Sequence, residues 1–204
     1  MLSLISPGAL PAAVSPTWSG IAPSTLWNSG ANWTGGTAPS SILDFATFNG
    51  SVANISLILS MNGSDRTVGG ITFTSSGAAN DGFYFQPNNN LIIGGTGAGS
   101  GITNNDADTQ VFNVGLNLQT NGQTFNAASG AIAVGGQLYL TGVDLVLSGA
   151  APIVLSGGVT TVGAAGRQVT ITNTGATTFS GSALTLADAN QTTTFTANVA
   201  ASAG

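Results

Sequence analysis

Val111-Phe-Asn-Val-Gly-Leu-Asn-Leu118, Ala131-Ile-Ala-Val134, Gln137-Leu-Tyr-Leu-Thr141, Val143-Asp-Leu-Val-Leu147, Pro152-Ile-Val-Leu155, Gln168-Val-Thr-Ile-Thr172 and Ala183-Leu-Thr-Leu186 follow one another between Thr109 and Leu186 with little between them. Each is about four to eight residues long, largely apolar at every second position, and mostly followed by Gly, Asn or Ser, the pattern of half-buried strands joined by tight turns. No stretch of comparable length keeps a helical period. The chain reads as all-β.

The repeat behind these strands is loose. Leu116-Asn-Leu118 and Leu138-Tyr-Leu140 stand 22 positions apart, with Thr124-Phe-Asn126 and Ile132-Ala-Val134 between them. A coil of about 20 residues carrying two or three short strands fits a parallel β-helix or related β-solenoid, in which each coil stacks its apolar row on the next. A β-sandwich or jelly roll has strands of similar length. The small-residue content and the lack of charged hairpin tips favour the solenoid.

Composition narrows the function classes. The 204 residues include no Cys, His, Lys or Glu; the charges are Arg66, Arg167 and seven aspartates. Only 4% of residues are charged, against about 25% in ordinary domains. Abundant Val, Ile, Leu, Thr and Phe mark a folding chain rather than a disordered one. Two arginines cannot neutralise a phosphate backbone, which excludes nucleic acid as a partner. No run of 18 apolar residues is present, so no membrane-spanning helix is expected. A surface this poor in charge offers little repulsion to self-association. A homo-oligomer or polymer is therefore expected.

Residues 1–16 read as an extended, Pro-containing apolar arm. It resembles the tail of a secretory signal without the basic leader. Leu2, Leu4 and Ile5 would anchor it on the open sheet edge of a neighbouring subunit. The remainder, 17–204, is expected to be one β-rich domain, Trp-rich over 17–100 and repetitive over 101–204. Trp18, Trp27 and Trp33 sit among Gly and Pro turns. They suit an N-terminal aromatic cap of the kind repeat folds require; the rival role is a platform for stacking surface glycans. Asn54–Ser60 and Arg66–Phe73 are further strand candidates. Gly94–Gly101 reads as a spacer, mobile loop or internal boundary, and it lacks the Lys-Ser/Thr of a phosphate-binding loop.

Chemistry at working pH needs groups that titrate or bind metal, and aspartate is the only plausible base. The one cluster is Asn104-Asn-Asp-Ala-Asp108. On a strand, Asp106 and Asp108 would share a face about 6.5–7 Å apart. With Asn104 and carbonyls they could hold a Ca²⁺, or mimic a glycosidase carboxylate pair. The plainer alternative is a solvated turn rich in Asx residues. No Asp-Thr/Ser-Gly triplet occurs, and the Asn-x-Ser/Thr sequons at Asn32, Asn49, Asn54, Asn62 and Asn190 are what an Asn- and Thr-rich chain yields by chance. Thr-x-Thr rows such as Thr170-Ile-Thr172 invite an ice-binding reading, though β-propensity explains them as well.

Trp27-Asn-Ser-Gly-Ala-Asn-Trp-Thr-Gly-Gly-Thr-Ala-Pro39, Asp44-Phe-Ala-Thr-Phe-Asn49 and Arg66-Thr-Val-Gly-Gly-Ile-Thr-Phe73 resemble the N-terminal part of bacterial proteins with autotransporter-associated β-strand repeats. The resemblance covers roughly residues 18–73. Beyond it only fragments of the repeat recur, at Asp144–Gly149 and Thr178–Leu186. It implies a right-handed β-helix on the bacterial surface or in the extracellular medium, and it brings no catalytic residues. The expected function is a non-enzymatic structural subunit of a filament, sheath or layer. An adhesin or carbohydrate-binding passenger fragment is the alternative. A degraded polysaccharidase using Asp106 and Asp108 comes third.

Overall fold

A computed structural model describes residues 12–20, 25–49, 57–74, 82–120, 122–162, 168–180, 184–186 and 194–197. Leu2, Leu4 and Ile5, the expected anchors of the arm, lie outside them.

The chain winds as a parallel β-solenoid. After β1 (Thr17–Trp18), it lays down strands in sets of three, one to each face. The sets are β2 (Phe45–Asn49), β3 (Leu57–Leu59) and β4 (Arg66–Val68); then β5 (Gly70–Thr74), β6 (Phe83–Phe85) and β7 (Asn90–Ile93). Next come β8 (Gly101–Asn105), β9 (Gln110–Phe112) and β10 (Gly115–Leu118), and β11 (Gln123–Ala127), β12 (Ile132–Val134) and β13 (Leu138–Thr141). The last are β14 (Leu145–Gly149), β15 (Ile153–Leu155) and β16 (Val159–Val162), then β17 (Gln168–Ile171), β18 (Thr177–Phe179) and β19 (Leu184–Leu186), with β20 (Thr194–Ala197) following.

Stacking these sets gives one eight-stranded sheet beginning with β1 and β2, and two six-stranded sheets beginning with β3 and β4. Every ladder among the described strands is parallel, for example Leu116↔Leu138 and Phe125↔Leu147. Sandwiches and jelly rolls pair their strands antiparallel, so those alternatives fall. Strands from 17–100 and from 101–204 share all three sheets.

Side-chain alternation places the core. In Gln123–Ala127 the residues run buried and half-buried in strict turn, and Ile132–Val134 repeats the pattern. Inward positions therefore stack rung on rung, at about 4.7–4.9 Å. The core changes character along the axis. Trp18, Trp27, Trp33, Phe48, Phe73, Phe83, Phe85, Phe112 and Phe125 fill its N-terminal part, and Leu, Ile and Val fill the later rungs. Register partners stack directly: Phe85 on Phe112 at 4.5 Å and 11°, Phe48 on Phe73 at 5.4 Å and 24°. Such pairs add about 0.5–1.5 kcal/mol beyond simple burial.

Corners set where coils touch. A Cβ on Gly136 would collide with the Val114 carbonyl below it, and one on Gly157 with the Gly136 carbonyl. The glycine run at 94–101 is a corner of the same kind. Gly94 N donates to Val68 O at 3.0 Å and Gly95 N to Gly69 O at 2.9 Å, and a Cβ on Gly95 would strike the Gly69 backbone. It is a seven-residue connection between β7 and β8, and all three sheets continue on both sides of it.

Candidate functional site

Trp18, Trp27 and Trp33 close the N-terminal end of the core. Their relative exposures are 1%, 0% and 2%. Trp33 meets Trp18 edge-on at 5.1 Å and Trp27 at 5.0 Å, and Phe48 lies 5.5–5.9 Å from all three. Trp27 Nε1 donates to Pro39 O at 2.9 Å and Trp33 Nε1 to Trp27 O at 2.6 Å. Trp18 and Trp33 also form an isolated antiparallel bridge. A sugar needs an open ring face, and these faces are covered by one another. The three rings are the cap of the solenoid, and the glycan-platform role is corrected on that ground.

The base of the arm lies against the same end. Phe45 N donates to Val14 O at 2.9 Å and Thr47 N to Pro16 O at 3.1 Å, so the segment leading into β1 occupies the edge of β2 within its own chain. Asp44 fixes this approach. Its carboxylate accepts from Val14 N at 2.9 Å, Ser40 N at 2.8 Å and Ser41 N at 2.9 Å. Burial pushes the Asp44 carboxyl up, and the combined hydrogen bonds from Ser40, Val14 and Ser41 outweigh it, leaving a pKa below the ordinary aspartate value.

The Asn104–Asp108 cluster is a corner pin. β8 ends at Asn105, so Asp106 and Asp108 are turn residues and do not share a strand face. Asn104 points inward, in register with Phe73 below and Ala127 above. Its Nδ2 donates to Asp108 O at 2.9 Å and Ala131 O at 3.0 Å, and its Oδ1 accepts from Asp106 N at 3.0 Å. Asp106 is 1% exposed; its Oδ1 accepts from Asp108 N at 3.2 Å, and its Oδ2 is sealed off without a partner. The turn is Asx-rich as expected, with Asn104 and Asp106 buried and Asn105 and Ala107 exposed. Asn104 has already committed its amide to backbone, and Asp108 is half-exposed. Among the described residues no three His, Cys, Asp or Glu side chains converge as a metal site. Asn173 repeats the motif, donating to Ala151 O and Gly175 O at 3.1 Å each and to Thr177 Oγ1 at 3.3 Å.

Outward positions give each face its own chemistry. On the eight-stranded sheet, Thr17, Thr47, Thr72 and Thr103 stand in register, continued by Asn126 and Ser148. On the sheet beginning with β3, the outward column is Tyr84, Val111, Ala133 and Val154, all partly exposed. Asn113 Nδ2 donates to the Tyr84 hydroxyl and fixes the ring's polar tip. The sequence signal for this column was the middle residue of each three-residue strand, flanked by two inward neighbours.

Arg66 is the residue that sequence reading missed. It pairs with Leu91 and so begins an inward column that continues through Leu116, Leu138 and Val159. Its Nε donates to Met61 O at 2.9 Å. Beside it opens a groove of about 380 Å³ bordered by Asn28, Thr37, Ser40, Asp65 and Thr67.

Compared with family models, curated proteins and solved structures, the chain matches none. Among the described residues no helix is long and apolar enough to cross a membrane.

Proposed function

We propose that this chain is a non-enzymatic structural protein, a self-assembling subunit of a bacterial surface filament, sheath or layer. The observation that carries this reading is the outward column Tyr84–Val111–Ala133–Val154 on one face of a nearly uncharged solenoid. Four rungs present an apolar stripe roughly 14 Å long. Its occupant is the same stripe on a second copy, because a parallel solenoid offers identical spacing and a chain with only 4% charged residues adds little repulsion. Contact runs laterally, face to face. The edge of β2 is already held by Val14 and Pro16 of its own chain, which moves the expected arm-to-edge docking off that edge.

The bacterial exterior as its setting rests on the resemblance of residues 18–73 to autotransporter-associated repeat proteins. The non-enzymatic reading rests on the burial of Asp106, whose carboxylate accepts from Asp108 N, and the scarcity of other titrating groups. The adhesin alternative no longer has a tryptophan platform. Sedimentation of the full chain over a hundredfold range of concentration tests the proposal, followed by electron microscopy. Assembly is expected, and Val111→Lys with Val154→Lys is expected to abolish it while leaving the far-UV circular dichroism unchanged. A wild-type chain that stays monomeric throughout would refute self-assembly.

A further inference from the structure

We infer that the groove beside Arg66 is a binding site for an acidic saccharide, recognised through its carboxylate. The inference is independent of self-association, since the groove lies at the capped end and not on the apolar stripe.

An arginine at the head of a leucine column needs only its aliphatic stem to cover the rung beneath, with its charged end reaching out. Arg66 does this, and its Nε is anchored on Met61 O at 2.9 Å. A guanidinium has five N–H donors. The four on its two terminal nitrogens meet no acceptor among the described residues, and Arg66 forms no ion pair there. Asp65, its chain neighbour, borders the same groove, but its carboxylate accepts from Asn90 N at 2.8 Å and from Asn90 Nδ2 at 3.4 Å and makes no ion pair with Arg66 among the described residues. In a chain of net charge −5, Arg66 is thus a cation that forms no ion pair with an acid among the described residues.

The anchoring decides the geometry of recognition. With Nε occupied, a carboxylate can be held end-on by the two terminal nitrogens, a paired contact that matches its two oxygens. Around this point the groove offers hydroxyls and an amide, from Thr37, Ser40, Thr67 and Asn28, and no other positive charge among the described residues; its one carboxylate, Asp65, is engaged by Asn90 N and Nδ2. One carboxylate ringed by hydroxyl partners matches a uronate-type sugar rather than a polyanion. At about 380 Å³ the groove is within the range of small-molecule sites.

Isothermal titration of the full chain with a uronate oligosaccharide, a neutral oligosaccharide of equal length and inorganic phosphate tests this. The uronate should bind at least tenfold more tightly than the neutral sugar and than phosphate, and more weakly as salt rises. Arg66→Met, which keeps the stem, should weaken uronate binding at least tenfold with an unchanged melting temperature. If that variant does not fold, the wild-type Arg66 Nε–H resonance serves instead and should shift on adding uronate but not the neutral sugar. No uronate binding, equal binding of the neutral sugar, equal binding of phosphate, or an unaffected Arg66→Met or Nε–H signal would each overturn the assignment.

Discussion

Arg66 stands directly opposite Leu91 in paired strands, at an inward position that Leu116, Leu138 and Val159 fill in the rungs above. Its stem does the work of a leucine and its head does not. Arg66→Met should therefore change unfolding free energy by less than about 1 kcal/mol, as for other volume-conserving exchanges. Arg66→Asp should cost about 2 kcal/mol or more, because a short carboxylate removes the cover and places charge over the column. Urea denaturation of the three proteins distinguishes these outcomes; equal stabilities would mean the stem does not pack.

Phe48 touches all three tryptophans and also Phe73, Phe83 and Phe85. Phe48→Ala should cost about 3–5 kcal/mol. Tryptophan emission of the wild type should be blue-shifted, resist acrylamide quenching and ignore added neutral sugars. Ready quenching in the native state would contradict a closed cap.

Asn104→Ala should destabilise by about 1–3 kcal/mol, since it leaves the Asp106 N–H without its acceptor, while Gln110 N and Nε2 still reach the carbonyls of Ala131 and Asp108. Thermal melts with and without a chelator should coincide. A melting temperature that climbs by several degrees on adding Ca²⁺ would restore the cation reading of Asn104, Asp106 and Asp108.

Asp44 makes the N-terminal segment sensitive to acid. Its folded pKa lies below the ordinary value, so its contribution is fully present above the unfolded pKa of about 3.9. That contribution is lost as pH falls through the lower folded value. Asp44→Asn should lower stability at pH 7 and flatten the acid limb of the stability curve between about pH 5 and pH 2. An unchanged limb in this variant would show that Asp44 does not hold Val14.

Gly136→Ala sets a Cβ against the Val114 carbonyl, on backbone that cannot move without shifting a whole coil. A loss of about 1–3 kcal/mol is expected. Alanine at exposed Gly63, where nothing lies within 4 Å but φ is +73°, should cost about 1 kcal/mol from backbone strain alone. Comparing the two by denaturation separates coil contact from conformation.

Much of the fold was legible in the chain itself. Val111–Leu118 and Gln137–Thr141 announce which side chains face inward, because strand alternation is a local property. Leu116 and Leu138, 22 positions apart, are true register partners. The coil length is not uniform, however: 21 positions separate Leu138 from Val159, and 31 separate Gly70 from Gly101. Insertions at the corners spoil the period without disturbing the rungs. The same cause hid the glycine run at 94–101, which composition alone presents as a linker.

The candidate sites were less legible. The sequence places Asp106 two residues from Asp108, and a strand would have aligned them; β8 ends at Asn105, so both fall in the turn, Asp106 buried and Asp108 partly exposed. It marks three tryptophans as either cap or platform, and only their mutual packing at about 5 Å decides for the cap. Arg66 has no local mark at all. Sequence by itself determined the all-β class, the inward rows and the near absence of charge, each a matter of residue type and spacing along one strand. Tertiary structure decided which strands are neighbours, where glycine is compulsory and that an arginine heads a leucine column, because those depend on contacts between residues such as Arg66 and Leu91 or Gly70 and Gly101, 25 and 31 positions apart, that no single strand encodes.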